Sequence, residues 1–114
     1  MLEIFIGLVV LVGCGHAGLV NTMELARSIT NGAPIHALLG GFHLMSATDQ
    51  HLGWTGSKMR EYGVEHLVGA HCTGINSVTG LRDAGGLSRA TAVVGAVGST
   101  FSLGKGIPPG VLTR

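Results

Sequence analysis

Three segments of the chain repeat one pattern: a short apolar run, then small residues, then a histidine. They are LVVLVGCGH ending at His16, IHALLGGFH ending at His43 and VEHLVGAH ending at His71, so the histidines fall 27 and 28 residues apart. A strand with its crossover helix takes about 30 residues. The spacing therefore predicts successive β-α units, an α/β fold and a mainly parallel sheet. Strands buried on both faces read as continuous apolar runs, as GLVVLV does. In such sheets the ligand crevice lies beyond the carboxyl ends of the strands. His16, His43 and His71 all fall at those ends, on one edge of one sheet.

The intervening segments read as helices. Leu19, Met23, Ala26 and Ile29 recur at helical spacing, Asn31-Gly32 is a stop signal, and Pro34 prevents continuation. Ser46 and Asp49 have capping-box spacing. A helix from there runs to about Tyr62, weakened by Gly53 and Gly56 and stopped by Gly63. Ile75, Val78 and Leu81 mark a third helix, ended by Gly85-Gly86. The stretch ATAVVGAVGSTFSL predicts a strand or a hairpin of two strands. Residues 1–104 form one domain in this reading, and 105–114 form a tail without periodicity.

Composition adds one constraint. Charged residues make up 11% of the 114, against about 25% in ordinary domains. Small domains have a large surface to cover, and seven basic and six acidic side chains cover little of it. Part of the surface is therefore expected to be hidden against something else, either a second copy or a half-domain absent from this sequence. A net charge of +1, no Lys/Arg cluster and few aromatics leave no nucleic-acid footprint. Cys14 and Cys72 each abut a Gly/His-rich turn, which favours free thiols in a reducing, cytoplasmic setting.

The stretch GCGHAG, with glycines at 13, 15 and 18, also fits the dinucleotide-binding spacing G-x-G-x-x-G. That reading needs an acidic residue about 20 positions on, at the end of the second strand. The second strand ends in Gly40-Gly41-Phe42-His43, without a carboxylate. Leu11-Val12-Gly13-Cys14 also looks like a lipoprotein cleavage box. A signal peptide starts with a positive region, and the one charged side chain before Cys14 is Glu3. The apolar run Ile4 to Val12 is too short to span a bilayer, which needs about 20 residues, so no membrane partner is expected. The remaining reading is a metal site, because neutral imidazole is the commonest side-chain zinc ligand. His36, His51 and His66 stand outside the repeated pattern and read as ordinary histidines. His71 and Cys72 are adjacent, and in extended chain they point to opposite faces, which sets them apart as ligands of one ion.

The segments GLVVLVGCGHAGLVNT, IHALLGGFHL and HLVGAHCTG resemble the second half of metallo-β-lactamase-fold hydrolases. Within that superfamily they are most similar to a branch named as dihydropterin-ribofuranosyl-aminobenzene phosphate synthases. The resemblance covers roughly residues 7 to 104. It implies half of an αββα sandwich, with loops on the metal side at the strand carboxyl ends. It implies His16 as a ligand of a first metal ion and His71 as a ligand of a second. His43 stands where most members carry a bridging Asp, so it is a ligand of one ion or a substrate contact. Zinc or another divalent transition metal is the implied cofactor, with two ions only if the other half is supplied. Thr73 and Gly74 fall where a hydroxyl and a backbone N–H would meet a phosphate or carboxylate of a small-molecule substrate; plain helix capping is the alternative for Thr73. The family's H-x-H-x-D-H motif is absent from these 114 residues. The expected function is thus the C-terminal portion of a metal-dependent hydrolase, inactive alone. The alternatives are a non-catalytic half-domain acting by association, and a dinucleotide-binding fragment.

Overall fold

The apolar runs do form strands and the periodic segments between them do form helices. A computed structural model describes residues 6–108. The order is β1 (Leu8–Val12), α1 (Leu19–Ile29), β2 (Ile35–Gly41), α2 (Asp49–Glu61), β3 (His66–Ala70), α3 (Ile75–Ala84) and β4 (Ala92–Val94). The four strands make one sheet in the order β1-β2-β3-β4, with every neighbouring pair parallel. Such an order follows when each strand is laid down beside its predecessor after a helical crossover.

The register explains which residues form the core. Val10, Leu38, Leu67 and Ala92 lie in one row across the sheet. They pack with Leu19, Met23, Leu52, Met59 and Leu81 from the three helices. Their strand neighbours point the other way, since side chains alternate along a strand. On β1 that leaves Val9 and Leu11 exposed, Leu11 to 75%.

Two close approaches fix the sheet and the helix layer. A Cβ added at Gly40 would lie 1.9 Å from the Val12 carbonyl oxygen, and one at Gly41 would lie 2.3 Å from that of Gly13. The pair therefore lets the ends of β1 and β2 meet backbone to backbone. On the helix side, a Cβ at Gly56 would sit 2.3 Å from that of Ala84. Gly56, expected to weaken α2, is what lets α2 and α3 cross closely.

One expectation is corrected. The N-cap of α2 is Thr48, whose hydroxyl accepts the His51 N–H at 3.1 Å. Ser46 instead lies in a turn closed by the Ala47 N–H and the Leu44 carbonyl, so the capping-box pairing with Asp49 does not form. Of the strand or hairpin expected from the last apolar stretch, the single strand forms: three residues, β4, followed by turns. A second strand is not built, because the chain after Gly95 leaves the plane of the sheet and folds back. Phe101 comes to rest against the rings of His36 and His66, at 6.0 and 5.4 Å between centroids. The face opposite the helices is thus partly covered by this chain itself. Of the tail, residues 105–108 are described, with Gly106 bridged to Ser102, and 109–114 lie outside the described residues.

Candidate metal centre

The turns after β1, β2 and β3 bring the repeated histidines to one edge of the sheet. The first turn, residues 13–18, needs Gly15, with φ 64°. A Cβ there would meet the Phe42 Cα at 2.9 Å. The glycine that the dinucleotide pattern would place against a pyrophosphate is therefore packed on the end of β2. The turn carries Cys14 and His16 across to the β2–α2 loop, where the imidazoles of His16 and His43 lie 4.1 Å apart between centroids.

The turns after β2 and β3 share a second feature. His43 and His71 both have left-handed backbones, with φ of 52° and 55°. Non-glycine residues adopt this conformation uncommonly, and such strain clusters at functional sites. The conformation at His71 removes the extended geometry that would have turned it away from Cys72. Ligand atoms of Cys14, His71 and Cys72 all lie within 4.8 Å of one another. This corrects the expectation that His71 and Cys72 are set apart as ligands.

Cys72 ties the group together. Its Sγ accepts the His43 N–H at 3.2 Å and lies 3.2 Å from the Cys14 carbonyl, to which the thiol donates. The structure therefore pairs His16 with His43, and His71 with the two cysteines, and Cys72 joins the two sets. Imidazole and thiol donors are the chemistry that zinc and related ions prefer, so the donor set fits such an ion. A cleft of about 480 Å³ opens beside it, lined by His43, Met45, Ser46, His51 and Cys72 among others. His51 was not expected in the site. It reaches the cleft from the first turn of α2, and no interval in the sequence marks it.

Thr73 is fully buried. Its hydroxyl donates to the Ala70 carbonyl at 2.7 Å and accepts the Phe42 N–H at 3.0 Å. It staples the end of β3 to the end of β2, so its expected contact with substrate is not available. It is not the N-cap of α3 either; Gly74 is, with no side-chain cap. Gly74 remains at the edge of the site with its backbone free of any side-chain cap.

A second cluster lies at the other end of the sheet. Ligand atoms of His36, Glu65 and His66 also lie within 4.8 Å of one another. Burial, and then the neighbouring His36, push the His66 imidazole below its ordinary pKa, while Glu65 opposes the shift.

No family model matches the chain. Over 71 residues it is 31% identical to the 7,8-dihydropterin-6-methyl-4-(β-D-ribofuranosyl)-aminobenzene-5'-phosphate synthase of Methanocaldococcus jannaschii, covering 62% of this chain and 24% of that protein. An uncharacterised protein of the same organism is 29% identical over 76 residues, covering 64% of this chain and 27% of its own length. The chain thus spans about a quarter of the curated relatives it matches. Among solved structures, a metal-dependent hydrolase of the β-lactamase superfamily superposes with a TM-score of 0.62 at 34% identity, over 69% of this chain and 30% of that one. In sequence and in fold, the four-stranded sheet and its three helices are similar to part of a metallo-β-lactamase-superfamily hydrolase.

Proposed function

We propose that this chain contributes one side of the metal centre of a metallo-β-lactamase-type hydrolase. The observation that carries the reading is the gathering of Cys14, His16, His43, His71 and Cys72 at the carboxyl ends of three parallel strands. Both His43 and His71 hold left-handed backbones there, and such conformations cluster at functional sites. His16 and His71 are the ligands in this reading, and His43 is a ligand or a substrate contact. Zinc is the ion that suits the donors best. A bound divalent cation supplies Lewis-acid polarisation of a carbonyl or phosphoryl group and acidifies water.

The chain's own residues do the rest. Gly40, Gly41 and Thr73 hold the ends of β1, β2 and β3 in register, which fixes where the imidazoles stand. The cleft beside His43 and His51 receives the substrate, and the Gly74 end of α3 faces an anionic group on it. The name of the archaeal relative points to a product bearing a ribose phosphate, and the 31% identity over 71 residues supports that narrower form. The remaining donors come from a partner segment, either the other half of the fold or a second copy, in a cytoplasmic setting.

A distinct arrangement has support of its own. Cys14, His71 and Cys72 form a closer trio than any that includes His16, and would hold an ion as a structural site. His71 serves both arrangements; His16 and the cysteines separate them. The test is hydrolysis of ester, lactone and phosphodiester substrates with zinc present. The isolated chain is expected to give no appreciable turnover, because a working site needs a fully coordinated ion with one open position. Robust zinc-dependent turnover by a verified monomer would contradict the shared-site reading.

A further inference from the structure

At the amino ends of β2 and β3, three ligand-type side chains converge with no role in the site described above. His36 is the second residue of β2, Glu65 immediately precedes β3, and His66 opens β3. The local irregularity in the β1–β2 register, between Leu8 and Val9 on the β1 side, is what brings them together. It lets Ile35 join the core while His36 turns to the opposite face, beside His66.

The imidazole of His36 is 5% exposed. Both of its ring nitrogens, and the Nδ1 of His66, are buried without a hydrogen-bond partner. Buried polar groups are nearly always satisfied, and each that is not costs stability. The His36 Nδ1 does lie 3.2 Å from a Glu65 carboxylate oxygen. The ring N–H is not aligned on that oxygen, so distance and bonding geometry disagree. A metal ion reconciles them. Two donors on a tetrahedral zinc at about 2.1 Å lie roughly 3.4 Å apart, close to the observed separation.

We infer that His36, Glu65 and His66 form a second divalent-metal site, taking zinc or a similar transition cation, on the opposite rim of the sheet from the candidate centre. Two imidazoles and one carboxylate are a donor set that such ions accept, with one or more positions left for water. One nitrogen from each ring gains a partner. The chain beyond β4 closes the site: Phe101 packs on both rings, and Gly106 lies so close to His66 that a Cβ would stand 2.9 Å from its Cε1. The ion joins the starts of β2 and β3 under this flap. Its role is structural, and it stands independently of the function proposed above.

The test is zinc calorimetry combined with thermal unfolding on the full chain and its Glu65→Gln, His66→Gln and His71→Ala variants. Glu65 is 65% exposed, so Glu65→Gln leaves the fold intact even if a histidine variant does not. In the His71→Ala background, which disables the candidate centre, zinc is expected to bind and to raise the melting temperature. Adding Glu65→Gln should weaken that binding tenfold or more, since even outer-shell changes cost about 10–100-fold. Equal affinity and an equal thermal shift with and without Glu65→Gln would overturn the assignment. So would the absence of zinc binding in the His71→Ala chain.

Discussion

The two rims of the sheet hold similar residues but are built differently. At the carboxyl rim, each candidate ligand follows its own strand and sits on a loop between a strand and a helix. At the amino rim, His36 and His66 lie within the strands, and their cover comes from the far end of the chain. The first arrangement is periodic and local, and it leaves histidines open to a cleft. The second is aperiodic and non-local, and it buries them. Loops past strand ends are free to carry function because the scaffold holds them. Side chains inside a sheet are confined by their neighbours, so ligands there favour a structural role.

The largest test of this contrast is Gly40→Val. Its Cβ would collide with the Val12 carbonyl, at a residue whose φ is 134°. The expected loss exceeds about 3 kcal/mol in denaturant unfolding, beyond the usual range for single substitutions. Gly13→Ala, with nothing within 4 Å of the added atom, should change stability by less than about 0.5 kcal/mol. Equal effects would mean that the carboxyl rim does not depend on the β1–β2 approach.

Thr73→Val should cost about 1–3 kcal/mol, the penalty for leaving the buried Phe42 N–H without its acceptor. Thr73→Ser should recover most of it. If Thr73→Val is as stable as the parent, the staple between β2 and β3 is not what positions His43 and His71.

At the amino rim, Phe101→Ala removes a half-buried ring from His36 and His66. A loss of about 1–2 kcal/mol is expected, below the 3–5 kcal/mol of a fully buried Phe. His36 and His66 should also become reactive to an imidazole-modifying reagent. Unchanged reactivity would show that the flap does not cover this rim in solution.

The smallest stability effect is expected at Leu11, which is 75% exposed on the sheet face away from the helices. Leu11→Lys should alter stability by no more than about 0.5 kcal/mol. If the face meets a second copy, the same change should shift sedimentation towards monomer, since a large exposed apolar patch favours association. Sedimentation identical to the parent would remove Leu11 from any such contact.

What the sequence reveals follows from the same contrast. The β-α units and the carboxyl-rim histidines are legible because both rest on local periodicity: apolar runs, stop signals and a repeat of 27 and 28 residues. His51 is not legible, because it reaches its cleft by the path of a loop. The grouping of His71 with Cys72 is hidden as well, since it turns on a left-handed backbone at a non-glycine residue. The amino-rim cluster depends on a register irregularity and on Phe101, 35 positions after His66. No local pattern encodes either. Thr73 shows a third case: its placement is legible, but its burial depends on how β2 and β3 pack together.

The measurement that tests the central claim most directly is a zinc titration by calorimetry of the Glu65→Gln chain, compared with the same chain carrying His16→Ala or His71→Ala. The Glu65→Gln background weakens the amino rim, so that a further loss on adding either histidine substitution reports on the carboxyl rim. Weak binding is expected, with only part of a donor set present. Each added substitution should weaken it about tenfold or more, as loss of a contact in the metal environment does. Tight binding that neither substitution changes would contradict the account, because the ion would then be held by residues other than those at the carboxyl rim.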